Sequence, residues 1–196
     1  MILPIVAYGD PVLRKVAVEI DANYPDLDKL ITNMKETMYN ASGVGLAAPQ
    51  IGKAIRLFLI DASPFAEDEE LSDKDRAALK DFNKIFINAK IIEEEGDEWV
   101  FNEGCLSIPD IREDVFRQPK ITIEYQDENF KKHTETLDGL AARVFQHEYD
   151  HIEGILFTDK LSTLRKRLIK KKLENISKGK IRADYRMRFP NAKKGK

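Results

Sequence analysis

The sequence predicts an α+β fold: antiparallel β-sheets wrapped around a central metal-binding helix, with an N-terminal helix and a C-terminal helix. Three observations carry that prediction. Apolar residues recur at helical spacing after Asp26 and again after Ser162, and segments between residues 55 and 125 read as short strands. The stretch Gln146-His147-Glu148-Tyr149-Asp150-His151 places two histidines four apart. On a helix, residues four apart share a face, so the two imidazoles can meet one divalent ion from a single rigid element.

A chain of 196 residues supports one well-cored domain and is short for two of ordinary size. With 42% hydrophobic and 34% charged residues it reads as soluble and globular. No apolar run approaches the roughly 18 residues that span a bilayer, so no membrane partner is expected. Met1-Ile2-Leu3-Pro4-Ile5 lacks the basic start and long apolar stretch of a secretion signal. The single cysteine excludes an internal disulfide and fits a reducing cytoplasm. The net charge of −2 hides an asymmetry. Residues 160–196 hold 15 Lys and Arg against Glu174 and Asp184, whereas residues 1–159 hold 17 basic and 32 acidic side chains. An acidic body with a basic appendage suits a polyanionic partner; a solvated helix followed by a disordered tail has the same signature.

Tyr8-Gly9-Asp10-Pro11 is a turn cluster in which Pro11 holds Asp10 extended. From Asp26, residues Leu27, Leu30, Ile31, Met34 and Met38 form the apolar stripe of a helix, a core face rather than a ligand site. Residues 42–52 break the pattern: Gly43 and Gly45 permit close backbone approach, Pro49 ends any local helix, and Gln50 precedes a strand at 55–60. No G-K-[ST] follows and no helix opens there, which argues against a phosphate loop. Residues 62–82 read as an acidic, solvated insertion with a short helix at 72–82 and no assigned chemistry. Strands follow at 86–92, 99–102 and 121–125, the last with Ile121, Ile123 and Tyr125 alternating with polar neighbours. His133, among Lys131, Lys132 and Thr134, reads as a surface-strand histidine. Leu137-Asp138-Gly139 marks the turn before the histidine helix, and Gly154 stops it. A last helix spans about 162–176 with Leu164, Leu168 and Leu173 inward, and the tail after Gly179 is expected to be mobile.

Glu148 lies one residue past His147, about 100° further round the helix, where it can reach a water beside the ion without being a ligand. Two histidines need at least one more protein ligand. Six residues past His151, where one large peptidase group carries a third histidine, this chain has Phe157, which cannot ligate. Glu174, in the following helix, sits among lysines that would pair with it. The remaining soft donor is Cys105, in Glu103-Gly104-Cys105-Leu106-Ser107. A lone cysteine is most often a small buried hydrophobe. Here Gly104 and the turn closed by Ser107-Ile108-Pro109 allow it to be brought against another element. A Cys-His-His set leaves the fourth tetrahedral position open, as catalytic sites do.

Three stretches resemble, in order and spacing, the signature motifs of the peptide deformylase family. They are Gly43-Val44-Gly45-Leu46-Ala47-Ala48-Pro49-Gln50, Glu103-Gly104-Cys105-Leu106-Ser107 and Gln146-His147-Glu148-Tyr149-Asp150-His151. The resemblance spans about residues 2–165, including Tyr8-Gly9-Asp10-Pro11-Val12-Leu13-Arg14. It implies a single catalytic domain at 1–165, carrying the 62–82 insertion, with a basic helix end and tail at 166–196. It further implies a bacterial, cytoplasmic metallohydrolase that removes the formyl group from the N-terminal formylmethionine of new polypeptides and releases formate. Cys105, His147 and His151 would hold the ion, and Glu148 would act as base and then acid. The Gln50 side-chain amide and the Leu106 N–H would donate to the developing oxyanion. The peptide would lie along strand edges at Val44-Gly45 and Gly104, near Arg112, with Leu140 and Val144 beside His147 in the methionine pocket. Glu103 is expected to pair with Arg117 and stiffen the cysteine turn.

Donor chemistry alone suggests zinc. The resemblance implies Fe(II) as the native ion, with Ni or Co as active substitutes and Zn common in purified protein. Two other readings stand beside it. An H-E-x-x-H endopeptidase would leave Gln50 and Cys105 without a role, and an RNA-binding module with a structural metal would need a fourth protein ligand. Residues 160–196 are expected to attract ribosomal RNA; no DNA partner is expected.

Overall fold

A computed structural model of the chain describes residues 1–192; the last four residues of the expected basic tail, 193–196, lie outside the described residues. In chain order the elements are β1 (Ile5–Val6), α1 (Leu27–Asn40), β2 (Gly45–Ala47), β3 (Leu57–Asp61), α2 (Asp73–Lys80), β4 (Asn83–Glu95), β5 (Trp99–Cys105), β6 (Ile108–Arg117), β7 (Lys120–Gln126), β8 (Lys132–Asp138), α3 (Gly139–Ile152), α4 (Thr163–Ser177) and β9 (Met187–Arg188). The α+β prediction holds. Five antiparallel strands in the order β2-β3-β4-β7-β8 form the main sheet, and β5 and β6 form a separate hairpin. The two ends of the chain meet where β1 pairs with β9 in parallel. Among the described residues no helix is long and apolar enough to cross a membrane.

Strand β3 explains where the main sheet sits. All five of its residues are buried, as in a strand covered on both faces. Leu57 and Leu59 share a core with Met34 and Met38 of α1, while Phe58 and Ile60 share one with Phe145 of α3. The rings of Phe58 and Phe86 lie 5.2 and 5.0 Å from that of Phe145, at edge-to-face angles. Truncating any one of these rings would cost about 3–5 kcal/mol. Helix α3 is thereby enclosed, and it carries five polar side chains inward: Arg143, Gln146, Glu148, Asp150 and His151 are all buried. Polar groups survive there only with partners or a ligand.

Four expectations need correction. Pro49 does not end a helix but sits in the first turn of a short 3-10 segment, Ala48–Ile51, where its missing N–H is no loss. The acidic insertion is not wholly solvated: Leu79 and Phe82 are buried, and Phe65 is half-buried. The inward stripe of α4 is Ile169, Leu173 and Ile176, whereas Leu164 and Leu168 are 66% and 61% exposed. Leu168 and Leu173 lie five residues, about 140°, apart on a helix, so one face cannot take both.

The tail after Gly179 runs back over the body instead of being mobile through residue 192. Ala7 N–H donates to Arg188 O at 2.9 Å, and Asn191 N–H to Ser177 O at 3.0 Å. Its signal lies in the sequence: Ile181, Ala183, Tyr185, Met187 and Phe189 are half-buried and alternate with exposed Arg182, Asp184, Arg186 and Arg188. That is the period of a strand, partly masked by the high charge.

Candidate metal centre and substrate cleft

Three elements converge on one point. Helix α3 brings His147, Glu148 and His151; the β5–β6 hairpin brings Cys105; and the segment after α1 brings Gly45 and Gln50. Donor atoms of Cys105, His147 and His151 all lie within 4.8 Å of one another, with the thiol Sγ 3.3 Å from Nε2 of His151. The convergence is real, and it is built from a helix turn and a hairpin turn 42 residues apart in sequence.

Glu103 sets the direction of His147. Its carboxylate accepts hydrogen bonds from Arg117 (Nε 2.7 Å, Nη2 3.0 Å) and Arg143 (Nη1 3.0 Å), and its Oε2 lies 3.0 Å from Nδ1 of His147. A ring whose Nδ1 is bonded to a carboxylate presents Nε2 to the site, the usual support for a metal-binding histidine. Burial pushes the Glu103 carboxyl up, but the hydrogen bonds from His147 and Arg117 outweigh it and hold it well below the usual carboxylate range. Arg117 also donates to Asp150 at 2.7 Å, tying the end of β6 to α3. The expected Glu103–Arg117 pair is therefore present. Arg143, absent from the sequence reading, is a second clamp; it also donates to Trp99 O at 2.7 Å and lies over the Trp99 ring.

Glu148 is buried, and burial is the first cause that pushes its carboxyl up to about 7. Its Oε1 packs so closely on Gly45 that a Cβ there would overlap it, which explains the glycine. Its Oε2 has no partner among the described residues, although Glu148 lines the cleft. The two histidines shift in opposite directions. Burial lowers His147 but Cys105 and Glu103 outweigh it, whereas burial and the charge on His147 both lower His151. A thiol and two ring nitrogens, beside an unpartnered carboxylate oxygen, fit one divalent transition ion with a coordination position to spare.

Gln50 is oriented by its own backbone. Its Oε1 accepts from Ala47 N–H at 2.8 Å, so Nε2 points at the hairpin, 3.5 Å from Cys105 Sγ and 3.4 Å from Ser107 Oγ. A cleft of about 560 Å³ opens over these atoms, lined by Val44, Gly45, Gly104, Arg112 and Val144 among others. Strand β2 pairs only with β3, and β5 only with β6, so each keeps one edge unpaired among the described residues. Leu140 does not line this cleft. It lies one turn before Val144, where α2 covers the start of α3, and faces a separate hollow shared with Leu71 and Leu79.

Phe65, Arg143 and Tyr185 also line the cleft, and sequence reasoning missed all three. Two left a signal. Phe65 is one of two aromatic residues in an acidic segment, the other being Phe82, and Arg143 interrupts an apolar helix face, which demands a buried anion. Phe157, at the place of a third histidine in the peptidase pattern, is 1% exposed in the core with its ring 6.1 Å from that of His147, which leaves the endopeptidase reading without a ligand.

Comparison with known proteins agrees with this geometry. Residues 2–167 match the polypeptide deformylase family. The chain is 70% identical to the peptide deformylase of Christiangramia forsetii and 64% identical to that of Flavobacterium johnsoniae, in each case over 196 residues and the whole of both chains. The crystal structure of a peptide deformylase from Legionella pneumophila matches with a TM-score of 0.77 at 36% identity, over 92% of this chain and 98% of that one. A Cys-His-His cluster backed by a buried glutamate, in a chain so matched from end to end, leaves one assignment: it belongs to the peptide deformylase family, metal-dependent hydrolases that remove the N-formyl group from the N-terminal formylmethionine of newly made polypeptides.

Proposed function

We propose that this chain carries out deformylation with one divalent ion held by Cys105, His147 and His151, and with Glu148 as the proton carrier. The observation that supports it most is the Cys-His-His cluster, with His151 buried, beside a carboxylate oxygen with no partner among the described residues. When bound, such an ion supplies Lewis acidity toward a carbonyl and toward water. The chain's own residues supply the rest. Glu148 takes a proton from the water that attacks the formyl carbon and gives it to the amine as the C–N bond breaks. Nε2 of Gln50 and the N–H of Leu106 donate to the oxygen that becomes negative. Ala47 fixes the plane of the Gln50 amide, so only the N–H that leans on Cys105 Sγ at 3.5 Å has to turn toward that oxygen.

The formylated peptide lies between the free strand edges at Val44–Gly45 and Gly104, with exposed Arg112 at the side and the methionine side chain against Val144 and Phe65. The decisive experiment is formate release from a formyl-Met peptide by Glu148→Ala beside the parent protein. A variant that keeps its metal and its activity would overturn the role given to Glu148.

The native ion is Fe(II) in this reading; Zn, Ni and Co suit the same donors and are expected in purified protein. Anaerobic reconstitution decides it, since higher turnover with zinc than with iron would reverse the choice. The site of action is the bacterial cytoplasm, where formylated nascent chains emerge. The exposed face of α4, with Arg167, Lys170, Lys171 and Lys172, suits ribosomal RNA. Truncation before α4 is a poor test, because it removes buried Ile169, Leu173 and Ile176 as well as charge. Reversing Lys170, Lys171 and Lys172 to Glu is a better one: ribosome affinity equal to the parent's, at low and at high salt, would refute the contact.

A further inference from the structure

The turn that carries Cys105 is not a self-sufficient hairpin turn. Strands β5 and β6 are closed by Leu106 and Ser107, between the paired residues Cys105 and Ile108, and the register slips between Gly104 and Cys105. Two-residue hairpin loops match the strand twist when their central residues take positive φ, usually with Asn or Gly. Neither Leu106 nor Ser107 has positive φ. The slip is taken up at Asp110 of β6, which has φ 60°, and three hydrogen bonds from distant segments hold the Leu106–Ser107 tip. Tyr8 N–H donates to Ser107 O at 2.8 Å, Gln50 Nε2 lies 3.4 Å from Ser107 Oγ, and the Tyr185 hydroxyl donates to Leu106 O at 2.7 Å.

We propose that Tyr185, delivered by the C-terminal tail, is a positioning residue that fixes the Leu106 peptide and so aims the Leu106 N–H into the cleft. The inference rests on the deformylation reading, in which that N–H meets the oxyanion. The Leu106 carbonyl and N–H lie in neighbouring peptide planes joined through φ and ψ; pinning the carbonyl fixes the Leu106–Ser107 plane, and with Cys105 held in the β5–β6 pairing the Cys105–Leu106 plane between them has little room left to turn. Tyr185 is itself fixed: two residues on, β9 pairs with β1, where Ile5 N–H donates to Arg186 O and Ala7 N–H to Arg188 O, both at 2.9 Å. Arg188 also reaches Asp10 at 3.1 Å. Strand β1 leads directly into Tyr8, the other backbone pin. The two ends of the chain thus pair with each other, and each holds one carbonyl of the same turn.

The test is Tyr185→Phe in the full-length, metal-loaded protein, which keeps the ring and removes the donor. We expect kcat for a formyl-Met peptide to fall on the order of tenfold while KM moves less than about twofold. Metal content should be unchanged, and amide hydrogen exchange should accelerate in the segment Cys105–Ile108 and not in α1 or β7. Parent-like kcat with parent-like exchange in that turn overturns the proposal. So does a loss spread evenly over exchange in all elements, which marks a merely structural residue. The exchange measurement keeps its meaning if the parent releases no formate, an outcome that would sink the deformylation reading instead.

Discussion

The floor of the cleft and its rim are built on opposite principles. At the floor, half-buried Cys105 and His147 and buried Glu148 and His151 rest on Glu103, Arg117, Arg143 and Asp150, which are packed together out of solvent. At the rim, Phe65 from the insertion, Tyr185 from the tail and exposed Arg112 contribute from segments that are otherwise on the surface. In the floor each group depends on several others, and the low dielectric makes any orphan expensive. In the rim each contact is local and modest. Floor substitutions should therefore be near all-or-none, and rim substitutions graded.

The largest effect expected is Glu148→Ala. Removing the proton carrier should cut kcat about 10³-fold, inside the range for general acid–base catalysis, with metal content unchanged. Formate release measures it, and a loss under tenfold would mean that the floor is not where the chemistry happens. Next comes Arg117→Ala. It removes two donors from Glu103 and the one to Asp150, leaving buried anions short of partners. Destabilisation of about 3–5 kcal/mol is expected, read by urea unfolding. Metal affinity should weaken about 10–100-fold because His147 loses the support of a fixed Glu103. Unchanged metal retention and turnover would show that Arg143 alone suffices, and would remove the contrast between floor and rim.

These two regions also differ in how far they were legible before folding. The centre of the floor was readable because its side chains are chemically distinctive and sit in short contiguous motifs: nothing but a ligand or catalytic role unites Cys105, His147, Glu148 and His151 so economically, whereas Arg143, outside those motifs, was missed. Regular elements with a single clear period were readable too, such as the α1 stripe from Leu27 to Met38 and the alternation of Ile121, Ile123 and Tyr125. The rim was not. Phe65 is an ordinary apolar residue whose destination depends on how 62–82 folds over the sheet. Tyr185 belongs to a strand-like alternation partly masked by arginines. On α4, leucines recur on two faces, and only the tertiary packing of Ile169 and Leu173 against β1 and β6 chooses between them. Leu140 failed for a related reason, since the insertion that covers it has no period linking it to α3.

A rim substitution tests the graded side of the comparison. Phe65→Ala should raise KM for a formyl-Met peptide about 3–10-fold and leave kcat within about twofold, because it removes apolar contact made equally by substrate and transition state. A loss in kcat of the size expected for Glu148→Ala would put Phe65 in the floor, and the division would fail.

The smallest effect concerns the anchor of the insertion, and its sign can be worked out. The Asp61 carboxylate accepts from Ser63 Oγ (2.6 Å), Ser63 N–H (3.0 Å), the Tyr39 hydroxyl (2.7 Å) and Asn83 Nδ2 (3.0 Å), while its own N–H donates to Val44 O at 2.8 Å. One residue thus ties the root of the Phe65 segment to the strand edge beside the metal centre. Burial pushes Asp61 up, but the hydrogen bonds from Ser63 and Tyr39 outweigh it and leave its pKa below the ordinary value of 3.8. A depressed folded pKa means that this stabilisation is complete above the unfolded value and is lost as pH falls through the folded one. Between pH 5 and 8 the anchor should be constant; below about pH 4, exchange of amides in residues 62–67 should accelerate before that of α3. Asp61→Asn keeps one acceptor but turns an NH₂ toward donors, costing about 1–2 kcal/mol at pH 7. That cost should shrink toward zero in acid, where the parent loses the same charge. A cost independent of pH would mean that shape, not charge, holds the insertion over the cleft.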